Sequence, residues 1–201
     1  MQNTIASRWS VVAVGACVAG LFWPASGSAQ TVTGQARAVQ ATVASPGGIS
    51  TTTLADTGTL GGATDARQAS QLTGSIPSLL SGEALRATTI GWPDQVASEA
   101  SMAGLALTIA GNTISADFVL ARALSVAGAP GTGAVTIGGL SINGLPINVS
   151  GSRNQQVIIP AGLVVINEQK TSSAGTVVNA LHIIIDGTAD VVIASATANA
   201  Q

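Results

Sequence analysis

The sequence predicts an all-β fold, a single-domain antiparallel β-sandwich following a cleaved N-terminal signal peptide. Three observations carry the prediction. The last third, Val135 to Ala198, is a series of short β-branched runs separated by Gly, Asn and Asp turns. Within it, Val177–Ile185 and Ala189–Ala196 flank Asp186-Gly187, a dipeptide suited to a type I′ hairpin turn. A second hairpin is legible in the middle of the chain. There Leu105, Leu107 and Ile109 share one face, Gly111-Asn112 turns, and Ile114, Ala116, Phe118 and Leu120 share a face of the return strand.

Residues 1–29 have the order of a secretory signal. Arg8 precedes an apolar run from Val11 to Trp23, Pro24 breaks it, and Ala25-Ser26-Gly27-Ser28-Ala29 offers small residues for cleavage after Ala29. The run is shorter than the roughly 20 residues of a membrane-spanning helix. Cys17 lies inside it, in Val14-Gly15-Ala16-Cys17, which matches a lipoprotein signal poorly. Residues 30–201 then contain no cysteine, so disulfides are excluded although the compartment would permit them. The expected destination is extracellular: secreted, at the cell surface or in the periplasm, with no membrane span after cleavage.

The remaining elements follow in order. Thr31 to Ala44 alternates as a strand, with Val32, Gly34, Ala36 and Ala38 on one face and Gln35, Arg37 and Val39 on the other. Pro46-Gly47-Gly48 ends it, and Ile49 to Ala55 continues as a Thr-rich strand. Asp56 to Gln71 has few large apolar residues and reads as a loop or a pair of weak edge strands. Ser75-Ile76-Pro77-Ser78 is a turn, Glu83 to Trp92 a strand, and Pro93-Asp94 its end. Ala116 to Ala127 is rich enough in Ala and Leu for a helix, but its opening alternation and the preceding turn favour strand. The echo Ile137-Gly-Gly-Leu140, Ile142-Asn-Gly-Leu145 is too short for a solenoid repeat and fits tight turns between brief strands. Val157–Ile159 and Leu163–Ile166 form a hairpin across Pro160-Ala161-Gly162. No linker divides residues 30–201, so they form one β-sandwich domain.

Composition narrows the function. Charged residues are 8% of the chain, against about 25% in an average soluble domain. After the leader, the basic residues are Arg37, Arg67, Arg86, Arg122, Arg153 and Lys170, outnumbered by acids and not clustered. Nucleic acid and anionic membrane surfaces are therefore poor partners. There is no Tyr, and only Trp92 and Phe118 remain as aromatics beyond the leader. One indole is thin support for a glycan platform, and the core must be built from Val, Ile, Leu and Ala.

No residue is assigned a catalytic, cofactor-binding or metal role, and no cofactor is called for. His182 is the only histidine, on a strand face shared with Ala180 and Ile184; catalysis would need a nucleophile and an orienting carboxylate beside it. Asp186 and Asp190 bracket a turn but are too few for calcium, which takes six or more oxygens. Glu99 and Asp117 lie on the two strands of the central hairpin, and glycoside hydrolysis by them would require a cleft. Lys170 with Glu168 and Asn167 or Asn179 has the residue types of an intramolecular isopeptide cross-link, yet Glu168-Gln169-Lys170 reads as a solvated rim. Asn143, Asn148, Asn154, Asn167 and Asn179 are expected to serve turns and cap backbone groups. Thr51, Thr52 and Thr53 do not form the repeated array of an ice-binding face, because consecutive residues point to alternate sides.

The C-terminal block carries a resemblance. Gly139-Leu140-Ser141-Ile142-Asn143-Gly144-Leu145-Pro146-Ile147 leads to Val149-Ser150-Gly151, Asn154-Gln155 and Ile159-Pro160. Val165-Ile166-Asn167-Glu168-Gln169, Thr176 to Ile183 and Ala189 to Ala196 follow. Over residues 139–198 this order resembles the choice-of-anchor P family of exported bacterial β domains, with a weaker echo at Thr33-Gly34-Gln35-Ala36. The resemblance implies an extracytoplasmic β domain with no established activity and carries over no site residues. Together the residues lead us to expect a secreted or surface-associated structural or interaction domain, self-associating through sheet edges or meeting another extracellular partner. A glycan- or envelope-polymer-binding module contacting its ligand through Trp92 is the alternative, and a hydrolase the third reading.

Overall fold

A computed structural model describes residues 31–173 and 175–201. Residues 1–29, expected as a signal peptide and containing Cys17, lie outside the described residues. Alternating small apolar residues dictate long strands, and the described chain is two antiparallel sheets packed face to face. Sheet A contains β1 (Val32–Ser45), β2 (Gly48–Asp56), β10 (Gln155–Ile159), β11 (Gly162–Ser172), β12 (Gly175–Ile185) and β13 (Ala189–Ala200), in the order β10-β11-β12-β13-β1-β2. Sheet B contains β3 (Ala66–Ile76), β4 (Leu80–Trp92), β5 (Gln95–Ile109), β6 (Asn112–Val126), β7 (Thr132–Gly138), β8 (Ser141–Ile142) and β9 (Leu145–Pro146). Its order is β3-β4-β5-β6-β8-β9, with β7 also pairing β6. The expected all-β sandwich is the observed fold, and residues 116–126 are strand rather than helix.

One core fills the space between the layers. Ala36, Ala38 and Val39 of β1 and Val191, Ile193 and Ala196 of β13 are buried there together with Leu85, Val96, Met102, Leu107 and Val119 of sheet B. Gly34 marks a close approach of the sheets: a Cβ there would lie 2.6 Å from both Thr89 Oγ1 and Val96 Cγ1. The buried hydroxyls of Thr89 and Ser98 lie 2.7 Å apart, and Ser98 donates onward to the Thr197 carbonyl at 2.6 Å, so these two hydroxyls between the layers are paired.

Sheet A is creased. Strand register on either side of the crease sets Asn167, Ala180, Ala194, Ala38 and Ala55 in one line across five strands. On alternate strands of that line, Asn167, Ala194 and Ala55 have φ of 55, 51 and 46°. Left-handed backbone costs a residue with a Cβ about 1–2 kcal/mol, so three such residues in line are a built feature. The alternation of side chains reverses there. Two successive residues point into the core, Ala38 and Val39, Ala180 and Leu181, Ile193 and Ala194. Outward residues therefore come three apart instead of two: Arg37 and Gln40, Val165 and Glu168, Asn179 and His182. In sheet B, Ala84, Gly104 and Gly139 are left-handed (φ 48, 56 and 65°) around Asp117.

These reversals correct several expectations. Val39 is buried on the face of Ala36 and Ala38, and Ala180 is buried while His182 faces outward. Phe118 is exposed, with Val119 and Ala121 taking the core positions after Ile114 and Ala116. Of Asp56 to Gln71, expected as a loop or a pair of weak edge strands, residues 66–71 belong to the 11-residue edge strand β3, which also takes in Ser75 and Ile76 of the expected turn; pairing with β4 supplies order that their composition does not announce. The central turn is Ala110-Gly111 (φ 47 and 77°), with Asn112 opening β6. At the last hairpin only Gly187 is left-handed, and Ile185 pairs with Ala189. The loop is thus Asp186-Gly187-Thr188, a three-residue turn rather than the expected type I′. Asn143-Gly144 is a second two-residue turn with both φ positive (52 and 76°), joining the brief strands β8 and β9.

Candidate functional site: the outer face of sheet A

The crease gathers most of the polar chemistry of the C-terminal half on the outer face of sheet A. Glu168, Asn179, Ser195, Arg37 and Asp56 are successive register partners across β11, β12, β13, β1 and β2. A second row, Val165, His182, Val192, Gln40 and Thr53, runs beside it on the far side of the crease. Contacts bridge the rows at both ends, Glu168 to His182 and Arg37 to Gln40.

Glu168 is the hub. Asn179 Nδ2 donates to its Oε2 at 2.7 Å, His182 Nδ1 lies 2.9 Å from the same oxygen, and Lys170 Nζ lies 2.8 Å from Oε1. Burial by itself would raise the Glu168 carboxyl, but hydrogen bonds from Lys170 and Asn179 and the charges of His182 and Lys170 outweigh it. The carboxyl is held below its ordinary value. His182 Nε2 in turn lies 3.1 Å from Asp190 Oδ2. A neutral imidazole donates from one nitrogen only, so the imidazolium is the form that makes both bonds.

The arrangement limits what these groups can do. Both ring nitrogens of His182 face carboxylates, whereas activating a nucleophile requires one of them to face a hydroxyl or thiol. The same divergence keeps Glu168, His182 and Asp190 from converging on one ion, and no group of three His, Cys, Asp or Glu among the described residues is placed to hold a metal. Asp186 stays on the exposed turn while Asp190 belongs to the histidine. Lys170 is 71% exposed and ion-paired, the opposite of the buried neutral amine that amide formation with Asn179 would need. The side chains of Asn143, Asn154 and Asn167 bond to backbone groups, as expected; Asn179 instead holds Glu168 from mid-strand.

Between the rows lies a small polar depression of about 220 Å³, lined by Gln35, Arg37, Gln40, Val177, Asn179, Val192, Ser195 and Thr197. A larger groove, about 550 Å³, crosses the outer face of sheet B. Its floor is two register rows, Ile90–Ala97–Leu124–Thr132 and Thr88–Glu99–Arg122–Ala134. Glu99 is ion-paired with its register partner Arg122 at 2.5 Å. Asp117 lies about five residues further along β6, against Gly139, so the two acids do not face each other. Trp92 ends β4 on the face of Ile90, 37% exposed. The sequence brings Lys170, Glu168 and Asn179 together only as a possible cross-link, and leaves His182 alone. Sequence reasoning missed the convergence of all four and the parts of Arg37 and Ser195, because strict alternation sets residues three apart on opposite faces.

Comparison with known proteins adds no identity: no family model, curated protein or solved structure matches the chain. Among the described residues no helix is long and apolar enough to cross a membrane.

Proposed function

We propose that the chain is a secreted or cell-surface-associated structural and interaction domain without catalytic activity, and that it associates through its sheet edges. The observation that carries this reading is β3. It ends sheet B and pairs only with β4 among the described residues, in one constant register that pairs every residue but Leu72, which stands opposite left-handed Ala84. Edge strands are ordinarily blunted by lysine, proline or a bulge. Arg67 is the one charge on β3, and Leu72 projects from it 85% exposed. Such an edge offers a free row of backbone N–H and C=O groups to a strand of another chain, the simplest of those being a second copy. The export signal and the resemblance of residues 139–198 to choice-of-anchor P domains support the same reading, as does the engagement of both His182 nitrogens by carboxylates.

Light scattering of the purified chain across a concentration series tests it. Reversible assembly that Leu72→Lys abolishes supports edge pairing; a monomer at every concentration removes the basis for it. The groove of sheet B favours a second reading, an extracytoplasmic module for a glycan or envelope polymer, because Trp92 stands beside its apolar floor. Glycan-array binding lost in Trp92→Ala would promote that reading over the first.

A further inference from the structure

The depression on sheet A contains an unmet demand. Asn179 is 8% exposed, and its Oδ1 is buried without a partner. The orientation of this amide is fixed by chemistry: Glu168 Oε2 belongs to an ionised carboxylate, which only accepts, so the group facing it at 2.7 Å is the amino end. Oδ1 is therefore the end of the amide not engaged by Glu168, on a residue that lines the depression beside Ser195, its register partner on β13. Ser195, Thr197, Gln35 and Arg37 complete the wall on that side.

From this we infer that the depression is a binding site for a neutral, hydroxyl-bearing molecule the size of one sugar ring or a small polyol. An orphaned acceptor requires a donor. An anion is excluded because it would bring a second acceptor against Oδ1. A cation is disfavoured because no carboxylate lines the depression and Asp56, in the same register row, is already paired with Arg37 at 3.5 Å. A neutral hydroxyl satisfies Oδ1 by donating and can accept in return from Ser195, Thr197 or the Arg37 guanidinium. The volume, about 220 Å³, lies below the roughly 300–1,000 Å³ of drug-sized sites and suits a single ring. The site contains no aromatic platform and lies on the opposite sheet from Trp92, so it is independent of both readings proposed above.

Titration of the ¹⁵N-labelled purified chain with glycerol, glucose and N-acetylglucosamine, followed by NMR, tests the assignment, with phosphate and ammonium as charged controls. The expected result is a saturable millimolar-range response at the Asn179 side-chain amide and the Ser195 and Thr197 backbone amides for at least one neutral probe. Ser195→Val, a substitution suited to a strand, should weaken it by about tenfold or more, and Trp92→Ala should leave it unchanged. The inference is overturned if no neutral probe gives a saturable response, which would mean that the space holds water alone. It is equally overturned if phosphate or ammonium binds in preference, or if the response centres on Trp92.

Discussion

Glu168 Oε2 lies 2.9 Å from His182 Nδ1 although the two residues are not partners in strand register. Glu168 stands opposite Asn179, and His182 opposite Val165. The crease makes the contact. Left-handed Asn167 and the doubled inward pair Ala180 and Leu181 bring outward positions three apart onto one side, so Asn179 and His182 both reach the same carboxylate oxygen. A regular strand would send one of them into the core.

This contact gives stability a pH dependence of known sign. The folded Glu168 carboxyl titrates below its ordinary value of 4.5, so its contribution is fully present above that value and lost as pH falls through the folded value. Glu168→Gln should cost about 2 kcal/mol at neutral pH, the scale of hydrogen bonds to a charged group. The deficit should shrink as pH is lowered below 4.5. Urea denaturation of both proteins from pH 7 to pH 3 checks it; a deficit independent of pH would show that the charge is irrelevant.

The left-handed alanines predict an unusual gain from glycine. Ala84 is exposed with φ 48°, so Ala84→Gly removes strain without emptying the core and should stabilise by about 1 kcal/mol. Ala84→Val should destabilise by at least as much, since a β-branched side chain tolerates that backbone poorly. Denaturation midpoints of the two variants should move in opposite directions.

Gly34 predicts the reverse. With Thr89 Oγ1 and Val96 Cγ1 each 2.6 Å from a Cβ at that position, Gly34→Ala must push the layers apart, at about 1–3 kcal/mol. Thermal unfolding measures the loss, and an unchanged midpoint would mean that the sheets are not packed this closely.

Lys170 predicts a null result in a mass spectrum. It is 71% exposed and held by Glu168 Oε1, outside the buried setting that attack on the Asn179 amide needs. The intact mass should show no loss of ammonia.

Much of the fold was legible because turn chemistry is local. Asn143-Gly144, Pro160-Ala161 and the Asp186-Gly187 hairpin each announce a reversal by residue type, and the strands between them carry period-two apolar runs. What could not be read was non-local. β3, with its Gln, Ser and Thr residues, becomes a strand only because β4 lies beside it. The crease depends on alanines that nothing in the sequence marks as left-handed, since alanine ordinarily avoids that conformation. Every site expectation that failed, from the face of His182 to the exposure of Phe118, failed at such a reversal. For the same reason His182 could not be joined to Glu168, Lys170 and Asn179, which the sequence had grouped for a different chemistry.

Amide hydrogen exchange along β3 tests the central claim most directly. The account predicts that, among the amides of residues 66–76, those pointing away from β4 exchange freely in dilute solution. They should gain protection as concentration rises, and Leu72→Lys should cancel the gain. Exchange at β3 that is already slow in dilute solution, or that stays independent of concentration, would contradict it.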